Sequence, residues 1–154
     1  MMKELTGSIN ITYVIYCLCI PALVYAGVVD FRTLEIPVRV NIYIALLGLI
    51  NLFFNRGNYL SCILGAVSVS GLFLIIYFAT KGRGIGGGDI KLMAAAGLLL
   101  GIGKILIAAL AGAVLCAAVQ LFFIKNKEKG RIFAFGPYLC IGIFIAMLFG
   151  LFAP

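Results

Sequence analysis

Six apolar runs dominate the chain: Ile9 to Val29, Val38 to Phe54, Tyr59 to Thr80, Ile90 to Gly103, Ile105 to Ile124 and Phe133 to Ala153. Short breaks rich in glycine or charge separate them. A hydrocarbon core about 30 Å thick, crossed by a helix rising about 1.5 Å per residue, takes roughly 20 apolar residues. The pattern therefore predicts six transmembrane helices in an all-α integral membrane protein, a single membrane-embedded domain over residues 1–154. "VYAG" around Ala26 supplies the small residues of a signal-peptide cleavage site. The first run is nevertheless longer than a usual signal-peptide core, and Lys3 is offset by Glu4, so it reads as a span.

Composition sharpens this picture. Of the 154 residues 64% are hydrophobic and only 11% charged, against about 25% charged in a soluble domain. Nine of the twelve cations fall in alternate breaks: Arg32 and Arg39, then Lys81, Arg83 and Lys91, then Lys125, Lys127, Lys129 and Arg131. Lys3, Arg56 and Lys104 lie on the other side. The positive-inside rule makes the nine cytoplasmic and both termini external. These cations read as orienting charges and contacts to anionic membrane lipid, not as a nucleic-acid surface.

The chemistry on offer is narrow. The absence of histidine and tryptophan excludes Ser-His-Asp and Cys-His catalysis and every histidine metal site. Cys17, Cys19, Cys62, Cys116 and Cys140 all lie in apolar runs without a CxxC spacing, so they read as small buried hydrophobes, with no metal site and no cofactor. The acids are Glu4, Asp30, Glu35, Asp89 and Glu128. A charge in or near hydrocarbon is costly enough to mark a functional candidate, which singles out Asp30 and Asp89. If Lys104 marks the outer end of the fourth helix, Asp89 is about 22 Å away along it, short of a full crossing. Asp89 then sits below the cytoplasmic surface, and Asp30 reaches a similar level on the same face.

The stretch "KGRGIGGGDIKLMAAAG" from Lys81 places non-helical glycines at that depth, which is tolerated only where protein buries the backbone or water reaches it. Gly86, Gly87 and Gly88 permit positive φ and close approach of an extended chain beside Asp89. Asp89 stands where a helix N-cap belongs; there the macrodipole favours its ionised form and desolvation opposes it. Two adjacent carboxylates share one proton, leaving one as base and one as acid, a pair suited to amide hydrolysis by water. The plainer alternative makes Asp89 a cap and Asp30 a loop charge beside Arg32. "GRGIGG" from Gly82 fits the dinucleotide spacing GxGxxG, but no strand precedes it. The small residues from Ala94 to Gly97, Gly101, Ala108, Ala109 and Ala111 to Ala113 fit close helix packing.

With these residues in view, the sequence resembles the type IV prepilin peptidases and related preflagellin peptidases, membrane aspartic proteases of the GxGD class. "GGGDIKLMAA" is similar to their glycine-any-glycine-aspartate motif and following lysine, at Gly86, Gly88, Asp89 and Lys91. "DFRTLEIP" is similar to their first aspartate loop, at Asp30, Arg32, Thr33, Ile36 and Pro37, and "FGPYL", Phe135 to Leu139, to the opening of their last helix. The resemblance implies that Asp30 and Asp89 are the catalytic pair. It implies further that the substrates are prepilin-like precursors, cut after a glycine and ahead of a hydrophobic helix at the cytoplasmic face of the cell membrane. Long family members add a zinc-binding cytoplasmic domain and N-methylate the new terminus. With about eight residues between the first two helices and no CxxC, this chain resembles the short, peptidase-only form. The rival reading is a small transporter coupling ions through intramembrane aspartates, although the chain has no internal repeat carrying a second broken helix.

Overall fold

The computed structural model describes residues 2–54, 59–82, 85–125 and 134–152. Arg56, Arg83, Gly84, Lys127, Glu128, Lys129, Arg131, Phe133 and Ala153, which the sequence reading used, lie outside the described residues. Six helices follow one another: α1 (Met2–Thr33), α2 (Val38–Phe54), α3 (Tyr59–Ala79), α4 (Gly87–Leu100), α5 (Ile102–Lys125) and α6 (Gly136–Phe152). Among the described residues three segments are long and apolar enough to cross a membrane: Ile11–Thr33, Tyr59–Ala79 and Ile102–Phe122. The other helices are shorter, and α4, at 14 residues, spans only about 21 Å.

α4 is central, packed against α2, α3, α5 and α6. It buries Leu92, Met93, Ala95, Ala96, Gly97, Leu99 and Leu100, while apolar side chains such as Val67, Ile75 and Phe78 of α3 face outward. With lipid outside as apolar as the core, hydrophobicity alone does not drive helices together, and close packing through small residues takes over. Such contacts recur through the bundle. A Cβ added to Gly97 would run into the Gly65 backbone of α3, one added to Gly48 of α2 would lie 3.1 Å from the Leu99 nitrogen, and one added to Gly142 of α6 would meet the Ala108 backbone of α5. The small-residue stretches in the fourth and fifth runs thus serve packing, as their composition indicates.

Two asparagines of α2 clip the ends of α4. Asn51 Nδ2 donates to the Leu99 carbonyl at 3.1 Å, one of the last four helix carbonyls, which lack an intrahelical partner. Asn41 Nδ2 donates to the Gly88 carbonyl at 3.3 Å. Gly101 (φ +78°) then turns the chain sharply into α5, its N–H bonding the Gly97 carbonyl at 2.9 Å. Lys104 consequently lies in the first turn of α5, not at the end of α4, and its Nζ is 3.5 Å from the Tyr16 hydroxyl of α1.

Candidate functional site

The end of α1 and the starts of α2, α4 and α6 meet at one end of the bundle. α1 does not stop at Val29 but continues through Asp30 to Thr33, so Asp30 is a helical residue and not a loop charge. The helix ends when Leu34 adopts φ +58° and donates its N–H to the Asp30 carbonyl at 2.8 Å, a left-handed cap on a residue with a side chain. Such a conformation costs about 1–2 kcal/mol. The Thr33 hydroxyl secures the turn by donating to the Val29 and Glu35 carbonyls. Ile36, held extended ahead of Pro37, is thereby driven inward and is buried.

Ile36 is the wedge between two glycines. A Cβ on Gly88 would stand 3.1 Å from Ile36 Cβ, and one on Gly136 would stand 3.0 Å from Ile36 Cδ1. Gly136 also holds Asp30: its N–H donates to Asp30 Oδ2 at 3.0 Å in a buried bond. The connection carrying Gly136 is anchored in turn by Phe135, whose ring packs 6.0 Å from that of Phe73 on α3.

The second aspartate is placed differently from expectation. The N-cap of α4 is Gly86, in extended conformation at φ −75°, and Asp89 is the third helical residue. From there its Oδ2 accepts the Gly86 N–H at 3.3 Å, the backward half of a capping box. A carboxylate in a helix's first turn also suits the macrodipole. Positive φ is not what the three glycines supply; among the described glycines it occurs at Gly82 and Gly101. Their role is space. A Cβ on Gly86 would sit 3.3 Å from Asp89 Oδ2, and Gly88 abuts Ile36, whereas Gly87 has nothing within 4 Å. That is the order of a glycine-any-glycine-aspartate motif.

Asp30 and Asp89 are both buried, at 5% and 6% exposure. Ile36 packs against both Gly88, next to Asp89, and Gly136, which holds Asp30. The two buried carboxylates thus lie at one end of the bundle with Gly86, which is exposed, and Gly88, which is half-buried. Lys91 is exposed and stands apart from this contact. Asp89 Oδ1 and Asn41 Oδ1 are buried without a hydrogen-bond partner among the described residues. Asn41, Ile36 and Gly136 are the residues whose roles the sequence reading missed. For Asn41 the signal was an amide inside an apolar helix. Beside Asp30 an apolar groove of about 710 Å³ runs between α1 and α6, lined by Val24, Gly27, Val28 and Phe31 on one side and Pro137 and Ile141 on the other.

The profile of the type IV leader peptidase family matches residues 17–121, a stretch that contains both aspartates. A protein from Bacillus subtilis (strain 168) named "Prepilin leader peptidase/N-methyltransferase" is 34% identical over 137 residues, covering 85% of this chain and 54% of its own length. Proteins of the same name from Pseudomonas aeruginosa and Escherichia coli (strain K12) are 36% and 32% identical, over 57% and 77% of this chain and 31% and 56% of theirs. The chain thus spans about half the length, or less, of these curated relatives. No solved structure matches it at a significant level.

Proposed function

This chain belongs to the type IV leader peptidase family, and on that premise we propose that it is a membrane aspartic endopeptidase removing the leader peptides of pilin-like precursors. The observation that carries the reading is the meeting of Asp30 and Asp89. Two carboxylates 59 positions apart in sequence are buried at one end of the bundle, each held by a glycine N–H, with Ile36 packed between Gly136, which holds the first, and Gly88, next to the second.

Like charges this close oppose double ionisation, so the pair holds one proton between them. The ionised member takes a proton from water as the oxygen attacks the scissile carbonyl. The protonated member polarises that carbonyl, then gives its proton to the departing amine as the C–N bond breaks. Asp30 and Asp89 are the catalytic residues in this scheme. Gly86 and Gly88 let the backbone come close to them, and Lys91, exposed one turn from the α4 N-terminus, supports the motif from outside. The groove beside Asp30 supports approach of the substrate's hydrophobic helix from the side.

The proposed setting is the cell membrane, in contact with lipid, with six spans, both termini external and the site at the cytoplasmic face; the distribution of cations supports that orientation. Residues 34–37 join α1 to α2, and the activity proposed for this chain is the peptidase.

The test is co-expression with a pilin-like precursor. The chain should release the leader, and Asp30→Asn and Asp89→Asn should each abolish release while still inserting in the membrane. The double variant should be no worse than either single one, because residues acting as a unit are non-additive. Substantial cleavage by either single variant would make that aspartate structural.

A further inference from the structure

α2 contains two buried asparagines that bond the backbone of α4, and they differ in one respect. Asn51 is used at both ends: Nδ2 donates to the Leu99 carbonyl, and Oδ1 accepts the Thr12 hydroxyl at 3.2 Å. Its amide ties α1, α2 and α4 together, as polar groups between membrane helices do. Asn41 is 4% exposed and is used at one end only. Nδ2 donates to the Gly88 carbonyl, while Oδ1 is buried with no donor. A buried acceptor left unmatched costs about 1–3 kcal/mol. A side chain serving only as a clip has no reason to carry that cost, and Asn51 shows that the same helix can avoid it.

The second unmatched acceptor is Asp89 Oδ1, on the residue that follows Gly88. Two buried oxygens without donors thus belong to neighbouring groups, one on the proposed catalytic carboxylate and one on the amide that grips the adjoining peptide. We infer that Asn41 is a working residue of the site, its Oδ1 accepting a hydrogen bond from an N–H or O–H that arrives with the reactants. Its Nδ2 meanwhile fixes the Gly88 carbonyl and so the turn from which Asp89 projects. The donor is either a backbone N–H of the extended substrate or the attacking water. This inference rests on the peptidase reading, and its test separates the two.

The enzyme is purified in detergent, and cleavage of a pilin-like precursor is followed with kcat and KM determined per mole of folded enzyme. Asn41→Leu, similar in size and without polar atoms, should lower kcat/KM at least tenfold. Asn51→Leu, which breaks the corresponding clip at the far end of α4, should lower thermal stability and leave kcat/KM within about threefold. A rise in KM alone identifies the donor as substrate N–H; a fall in kcat alone identifies it as water.

Asn41→Asp adds a pH readout, taken per mole of folded enzyme so that a loss of stability alone does not move it. When protonated, the new carboxyl replaces the amide atom for atom, donating to Gly88 and keeping one acceptor; when ionised, it loses the donor and repels Asp89. Its activity relative to the unsubstituted enzyme should therefore climb as pH falls. The charged groups on the elements packed against this end of α2 are Asp30 and Arg32 of α1 and Asp89 and Lys91 of α4, with Glu35 in the connection and Arg39 on α2 itself. Taking the ratio at each pH removes whatever pH dependence the two enzymes share. If Asn41→Leu does not accumulate folded, Asn41→Ser is judged by the same criterion. Equal losses for the two leucine variants, kcat/KM within threefold for the Asn41 variant, or a flat pH ratio would overturn the inference. Failure of the unsubstituted enzyme to cleave any precursor would instead overturn the peptidase reading beneath it.

Discussion

Replacing Gly136 by alanine adds one methyl group and tests how tightly the site is built. The new Cβ would lie 2.5 Å from Asp30 Oδ2 and 2.8 Å from its Cγ. Comfortable non-bonded separation is about 3.5 Å or more, so the carboxylate retreats by roughly 1 Å. The 3.0 Å bond from the Gly136 N–H is then lost. A misplacement of about 1 Å costs on the order of 10²-fold in rate, equivalent to about 2.7 kcal/mol of barrier. Stability should suffer less. Losing the hydrogen bond costs about 1–3 kcal/mol, while alanine in a helix regains about 0.5–1 kcal/mol over glycine. The net effect, of the order of 1 kcal/mol, is small against the usual 5–15 kcal/mol of folding stability. The assay is the fraction of co-expressed precursor freed of its leader, normalised to inserted enzyme, beside thermal unfolding in detergent. Gly87→Ala is the companion, because nothing lies within 4 Å of its added Cβ, and it should cleave normally. Cleavage by Gly136→Ala within threefold of the parent would refute the argument that this glycine sets the position of Asp30, and so would parallel loss of cleavage and folding.

Gly88→Val should abolish cleavage more than it lowers stability, since its side chain would press on Ile36 and displace the turn before Asp89; normal cleavage, measured on the same precursor, would reduce the glycine run to a linker. Gly97→Ala should do the opposite and cost about 3 kcal/mol, the upper end for overpacking, because the contact is with α3 backbone that no rotamer can clear. Gly103→Ala, in α5 with nothing within 4 Å of the added Cβ, should unfold slightly above the parent's temperature, because alanine in a helix regains about 0.5–1 kcal/mol over glycine. Mature substrate from cells expressing this chain as the only such enzyme should carry a free, unmethylated N-terminal amine by mass spectrometry; a methyl group there would show that this chain also supports methyl transfer.

The existence of six helices was legible because each apolar run is long and bounded by glycine or charge. Their ends were not. "DFRT" looks like loop because it is polar, yet it continues α1 by a full turn, since the end is set by Leu34 in a left-handed conformation that no composition rule assigns to leucine. The last glycines of "GIGGG" look like linker, yet Gly87 and Gly88 are helical, which moves Asp89 from the cap into the first turn. The aspartates themselves stood out because acids are scarce and costly in such a chain. Their partners did not. Gly136 is 106 positions from Asp30 and Asn41 is 47 from Gly88, and neither pairing leaves a local pattern. Only the packing of α6 on α1 and of α2 on α4 creates them.

The kind of partner given to each aspartate bears on the chemistry. A nearby lysine or arginine would favour the ionised carboxylate and oppose its taking up a proton. A pair that must exchange one proton is poorly served by such a lock. Here the bonds that position Asp30 and Asp89 come from neutral backbone N–H groups of Gly136 and Gly86. The cations of the same region, Arg32, Arg39 and Lys91, are exposed. Each glycine fixes one carboxylate oxygen without adding charge, and at Asp89 the other oxygen has no partner among the described residues. Glycine is suited to the task because the donor must come within 3.0–3.3 Å while its own Cβ would crowd the group it holds. The glycines around the site and the placement of the cations outside it are therefore two parts of what the proposed mechanism requires: carboxylates held in position while still free to gain and lose a proton.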